Sequence, residues 1–93
     1  MNMKNMDDSK ILHLLLAEYG FKYMIPLEDL AEPILGLSKN TAKRKAKGLT
    51  LPFPAVKLNS SQKAPYMVNV YDLALFIEKR CSRARTEWNS VKS

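Results

Sequence analysis

The side chains in this sequence that could do chemistry are mostly cations, and they are unevenly spread. Lys39, Lys43, Arg44, Lys45 and Lys47 fall between Ser38 and Gly48 with no acid among them. On a helix, Lys39, Lys43 and Lys47 would stack at i, i+4 and i+8, which costs roughly a few tenths of a kcal/mol per like-charge pair. A sequence selected for stability alone has little reason to accept that cost, and phosphate binding supplies one. Arg44 or a lysine can bond guanine O6 and N7, and Asn40 can pair with adenine N6 and N7. Lys47, near the end of the run, suits a phosphate.

The other reactive residue types do not assemble into a site. His13 is the single histidine and reads as a surface residue. Cys81 is the single cysteine, which excludes an internal disulfide and a cysteine-rich zinc site; it reads as a small buried hydrophobe. Glu28, Asp29 and Glu32 fall early in a predicted helix, where carboxylates favour the positive end of the dipole. Gly20, Gly36 and Gly48 are isolated, so no phosphate-cradling loop is present. No nucleophile–base pair and no metal motif is visible. The sequence therefore predicts no enzyme, no cofactor and no metal.

The cationic run needs a scaffold, and the preceding residues supply one. Leu27, Leu30, Ala31, Ile34 and Leu35 recur at i, i+3, i+4, i+7 and i+8, the apolar stripe of a helix over Leu27 to Leu35. Pro26 suits its start, and Pro33 is expected to bend or shorten it. The turn Leu35-Gly36-Leu37-Ser38 follows, with Ser38 where a helix N-cap is wanted. A second helix then runs from about Lys39 to Lys47 and stops at Gly48. Ala42, Ala46 and Leu49 are expected on its buried side. Two helices joined by a tight glycine turn, the second with a basic outer face, read as a helix-turn-helix.

Around this pair the chain supplies three more elements. Asp8 or Ser9 caps a predicted first helix carrying Ile11, Leu12, Leu15, Leu16 and Tyr19, and Gly20 ends it. Phe21 to Pro26 is a brief strand or an extended connector. Leu51 to Leu58 and Tyr66 to Val70 form a β-hairpin around the polar tip Asn59 to Pro65. At that tip Ser61, Gln62 and Lys63, with Lys57 and Ser60, are placed to touch a nucleic-acid backbone or minor groove. A last helix begins near Tyr71 or Asp72, with a stripe of Leu73, Phe76, Ile77, Arg80, Cys81, Ala84 and Trp88, and runs to about Ser90. The order is helix, helix-turn-helix, hairpin wing, helix. The fold class is thus α+β, mainly helical: a winged helix-turn-helix. Its 93 residues suit one domain over 1–93, with 1–8 and 90–93 flexible.

Charge supports the same assignment. The chain carries a net +6, but residues 1–38 hold three basic and six acidic side chains and residues 39–93 hold twelve and three. The switch falls at the start of the second helix of the pair, which points to a polyanion on one side of the fold. A second basic group, Arg80, Arg83 and Arg85, is placed for flanking phosphates or a partner subunit. No apolar run approaches the roughly 20 residues of a membrane helix. The expected location is a reducing bacterial cytoplasm, on the nucleoid.

Particular stretches carry a resemblance. Leu14-Leu15-Leu16-Ala17-Glu18-Tyr19-Gly20, Ile25-Pro26-Leu27, Leu51-Pro52-Phe53-Pro54, Ser61-Gln62-Lys63 and Val68-Asn69-Val70-Tyr71-Asp72-Leu73-Ala74 resemble the pyocin activator protein family, small transcriptional activators tied to bacteriocins of phage-tail type and to phage-derived elements. More distantly, Gly36-Leu37-Ser38-Lys39-Asn40-Thr41 is similar to a motif of excisionase and AlpA-like regulators, which share a MerR-like winged helix. Those families often carry an aromatic residue where this chain has Lys43.

Together these readings predict a sequence-specific DNA-binding regulator, an activator of phage-like, bacteriocin or mobile-element genes. The helix 39–47 would enter the major groove and the wing 59–65 would lie on the backbone or minor groove. The predicted DNA contacts are Ser38, Lys39, Asn40, Lys43, Arg44, Lys47, Lys57, Ser61, Gln62 and Lys63. The partners are double-stranded DNA, RNA polymerase, and a second copy through the C-terminal helix. An excisionase-like DNA-bending factor and a small protein-binding adaptor are the alternatives.

Overall fold

The structure, a computed structural model, describes the backbone of residues 3–92 and the side chains of residues 10–91. The elements in chain order are α1 (Met3–Glu18), β1 (Met24–Pro26), α2 (Leu27–Leu30), a π-helical turn (Ala31–Leu35), α3 (Lys39–Lys47), β2 (Val56–Lys57), β3 (Tyr66–Asn69) and α4 (Val70–Lys92). The fold is α+β and mainly helical, with the element order of a winged helix-turn-helix.

Helix α1 lies against α4. Its apolar stripe behaves as its spacing predicts: Leu15 is buried, and Ile11, Leu12, Leu16 and Tyr19 pack on the core. Its start differs. The helix is already formed at Met3, so Asp8 and Ser9 lie inside it instead of capping it. Of the ends expected to be flexible, residues 1, 2 and 93 lie outside the described residues, and the helices run from Met3 and to Lys92.

Of the stretch Phe21 to Pro26, only Met24–Pro26 is a strand, and Phe21 to Tyr23 leads into it as a connector. β1 is the edge of a three-stranded antiparallel sheet of order β1-β3-β2, paired Met24 to Asn69, Ile25 to Val68 and Pro26 to Met67. An edge strand tolerates Pro26, which has no N–H to give to a ladder. The hairpin is shorter than expected. β2 is only Val56–Lys57, paired to Met67 and Tyr66, because Pro52 and Pro54 keep the preceding stretch out of the ladder. That stretch is anchored instead by Phe53, buried with its ring 5.3 Å from Phe76 of α4 in an edge-on contact.

The first helix of the central pair is also altered. A regular helix over Leu27 to Leu35 gives way after Leu30 to the π-helical turn. Pro33 has no N–H to give to the carbonyl one turn back, and its ring crowds that carbonyl, so the turn widens. Gly36 closes it in the left-handed region at φ 67, and the Leu37 amide donates to the Ala31 carbonyl at 2.9 Å.

One core holds these parts together. Leu27, Leu30, Ala31, Ala42, Ala46, Ile25, Val68, Val70, Leu73 and Ala74 are buried in it. Full burial of each leucine contributes about 1.5–3 kcal/mol. The alanines at 42 and 46 let α3 approach α2 closely, and α2 packs in turn on β1 and β3. Two expectations about this core fail. Leu49 lies beyond α3 in the left-handed region, φ 58, and is 88% exposed. The chain reverses at that residue, which swings the side chain off the helix's buried face. The far part of the α4 stripe, Cys81, Ala84 and Trp88, is exposed because the core ends near Glu78 while α4 continues for more than three further turns.

Helix α4 begins one residue early, at Val70, and its cap is Asn69, whose Oδ1 accepts the Tyr71 amide at 2.8 Å. Glu78 is buried, which no periodicity flagged; it pairs with Arg85 at 3.6 Å, and the arginine itself is largely exposed.

Candidate nucleic-acid interface

Helix α3 forms because Ser38 caps it. Ser38 is extended, at φ −68 and ψ 158, and its Oγ accepts the Thr41 amide at 3.2 Å, satisfying one of the free donors of the first turn. The same hydroxyl donates to Thr41 Oγ1 at 2.9 Å, and Arg44 Nη2 donates to that oxygen at 3.2 Å. The cap thus also aims the arginine. Thr41 is not among the predicted contacts and enters the sequence reading only as the last residue of the motif Gly36 to Thr41; its place three residues after the cap and three before the arginine is the signal for this role. At the other end Gly48 and Thr50 donate to the Arg44 and Lys45 carbonyls.

With Ala42 and Ala46 buried, Lys39, Asn40, Lys43, Arg44, Lys45 and Lys47 are all exposed on the helix. Arg44, Lys45 and Lys47 are in its last turn, where cations complement the dipole.

The hairpin tip is built by its own side chains. Asn59 Oδ1 accepts the Ser61 amide at 2.9 Å, and Ser61 Oγ accepts the Lys63 amide at 3.2 Å. Lys57 Nζ donates to the Gln62 carbonyl at 3.2 Å and lies 5.2 Å from the centre of the Tyr66 ring. Lys57 therefore stiffens the base of the tip, while Lys63 is exposed at its end.

Helix and wing meet across a groove of about 480 Å³. Glu28 and Lys43 line one side, Lys57, Gln62 and Lys63 the other, with Leu27 and Tyr66 also in its wall. Of the predicted contact residues, the groove gathers Lys43, Lys57, Gln62 and Lys63. Ser38, Lys39, Asn40, Arg44, Lys47 and Ser61 are exposed outside it. Glu28 is the unexpected member. Its carboxylate lies 3.2 Å from Lys43 Nζ, with both side chains about half exposed.

The second basic group lies elsewhere. Arg80 and Arg83, with Lys79, border a separate groove of about 420 Å³ between Pro52–Pro54 and α4, floored by Phe53 and Phe76, while Arg85 turns to Glu78. Among the described residues no cluster of His, Cys, Asp and Glu could hold a metal ion, and no helix is long and apolar enough to cross a membrane.

The sequence model of the family described as pyocin activator protein PrtN matches residues 11–84. The chain belongs to that family. The matched span begins inside α1 and ends inside α4, so it takes in the helix pair, all three strands and both grooves. No curated protein and no solved structure matches the chain. The family is one of regulatory activators, so its members work with DNA or the transcription machinery.

Proposed function

We propose that the chain is a sequence-specific DNA-binding activator of phage-like, bacteriocin or mobile-element genes. Helix α3 enters the major groove through Lys39, Asn40, Lys43 and Arg44, and Lys47 holds a phosphate. The wing, through Ser61, Gln62 and Lys63, follows the backbone or the adjacent minor groove. The observation that carries the reading is the groove shared by Lys43 of α3 and Lys57 and Lys63 of the wing, beside a capped helix whose exposed face is cationic. A major groove admits one helix, and cations on a neighbouring wing add phosphate contacts that fix its register.

In this reading the chain acts as one winged unit in the bacterial cytoplasm, on the nucleoid. Arg80 and Arg83 reach flanking phosphates or a partner subunit, the exposed far half of α4 serves a second copy, and RNA polymerase is a further partner. The test is binding to duplex DNA from beside the encoding gene, by footprinting and by titration at several salt concentrations. The affinity should fall steeply with salt, and each phosphate-contact lysine changed to alanine should lower the slope of log K against log salt by about one. If the combined variant Lys39→Ala, Lys43→Ala, Arg44→Ala, Lys47→Ala, Lys63→Ala bound as tightly as the parent at all salts, the reading would be wrong.

A further inference from the structure

Among the described residues, Glu28 is the one acid in the wall of the groove between α3 and the wing, among three lysines. Its place on α2 is set by its neighbours. Leu27 beside it and Leu30 one turn on are fully buried, which sets the rotation of α2 and turns residue 28 toward α3. Its carboxylate meets Lys43 Nζ at 3.2 Å. Stabilising the start of α2 does not by itself call for this placement, because Asp29 is in the same first turn and lies outside the groove. A carboxylate on a phosphate-binding surface repels the phosphates, so on affinity alone this residue is a fault.

We propose that Glu28 is a specificity-determining residue, which holds Lys43 back from phosphates and admits it to a G·C base pair. In the free protein the carboxylate partly offsets the charge of Lys43, so a backbone of any sequence gains less from that lysine. Over the major-groove edge of a G·C pair the two side chains find matching partners. Guanine O6 and N7 accept from a lysine, and the cytosine N4 amine donates to a carboxylate. An A·T pair satisfies this set less well: its groups run acceptor, donor, acceptor, so the lysine keeps one acceptor, N7, in place of two adjacent ones, and a carboxylate over the adenine N6 amine lies beside the thymine O4 acceptor. The inference rests on the DNA-binding reading above.

The experiment uses the full chain and a random-sequence 20-bp duplex, with selection from a pool of such duplexes as the second readout. Glu28→Gln removes the charge and keeps the shape. It should tighten binding to the random duplex by roughly two- to fivefold at low salt, the range of a surface ion pair. It should also steepen the salt slope by about one. In the selected pool it should lose a G·C preference at one position that the parent shows. Glu32→Gln, an acid on the following turn outside the groove, controls for net charge and should give a smaller gain. In a Lys43→Ala background the Glu28→Gln gain should vanish.

Equal gains from Glu28→Gln and Glu32→Gln, or a full gain without Lys43, would overturn the inference and leave DNA binding standing. A parent that binds no duplex in a salt-dependent way would overturn both. Thermal unfolding of each variant separates a folding loss from a binding change.

Discussion

Changing Ser38 to alanine isolates what one hydroxyl does for the whole interface. The hydroxyl satisfies the Thr41 amide at 3.2 Å and donates to Thr41 Oγ1 at 2.9 Å. Both bonds are neutral and exposed, so the loss lies near the middle of the N-cap range, about 1 kcal/mol. In a domain of this size that lowers Tm by about 4–8 °C. Circular dichroism melts measure it, and hydrogen exchange at the Thr41 amide locates it, since that donor loses its partner. Ser38→Asp separates stability from binding. An aspartate caps as well as a serine and favours the helix dipole, so Tm should return to the parent value or pass it. The new charge sits beside Lys39 at the end of α3 that the proposed function puts in the DNA groove, so duplex affinity should fall although the helix is intact. If Ser38→Ala left both Tm and Thr41 exchange unchanged, the cap would not hold α3. If Ser38→Asp restored Tm and bound duplex as tightly as the parent, the N-terminus of α3 would not face DNA.

Other perturbations test the scaffold. Leu49→Gly should raise stability by up to about 1 kcal/mol in a denaturant titration, because Leu49 gains no burial and holds φ 58, a region that costs an L-residue energy. Arg85→Ala should cost about 1–2 kcal/mol, more than Glu78→Gln, because it leaves the buried Glu78 carboxylate unpaired, with the exposed arginine's share reduced by screening. Ultraviolet titration should show Tyr19 and Tyr71 ionising above the usual 10.0: burial raises Tyr19, helped by the charges of Glu18 and Asp29, and the hydrogen bond with Tyr23 raises Tyr71. A phenol whose folded pKa is raised holds its proton more tightly in the native state. Its contribution is therefore present below pH 10 and lost as pH rises through the folded value, and Tyr19→Phe should flatten that alkaline decline.

Much of this protein is legible in one dimension. The helix at Lys39–Lys47, its Ser38 cap, the placement of Ala42 and Ala46 inside and five cations outside, and a hairpin with its tip at Asn59 to Pro65 all follow from period, cap and turn chemistry. These are local properties, set within one or two turns of chain. The resemblance carried by Ser61-Gln62-Lys63 and the Val68–Ala74 stretch leads to the same family that matches residues 11–84.

What local pattern missed depends on neighbours distant in sequence. Leu49 and Cys81 are apolar at helical spacing, yet a left-handed residue turned one out and the end of the core left the other uncovered. Glu78 became buried only when α4 joined the packed elements. Glu28 reads in sequence as a dipole charge, 15 residues before Lys43, and nothing in either residue's surroundings pairs them. Their 3.2 Å contact exists because the buried Leu27 and Leu30 orient α2 and the small Ala42 and Ala46 let α3 lie close to it. Sequence determined which residues carry charge and which helix presents it; tertiary packing decided which charges meet, because a side chain's reach is short and only the core brings remote segments within it.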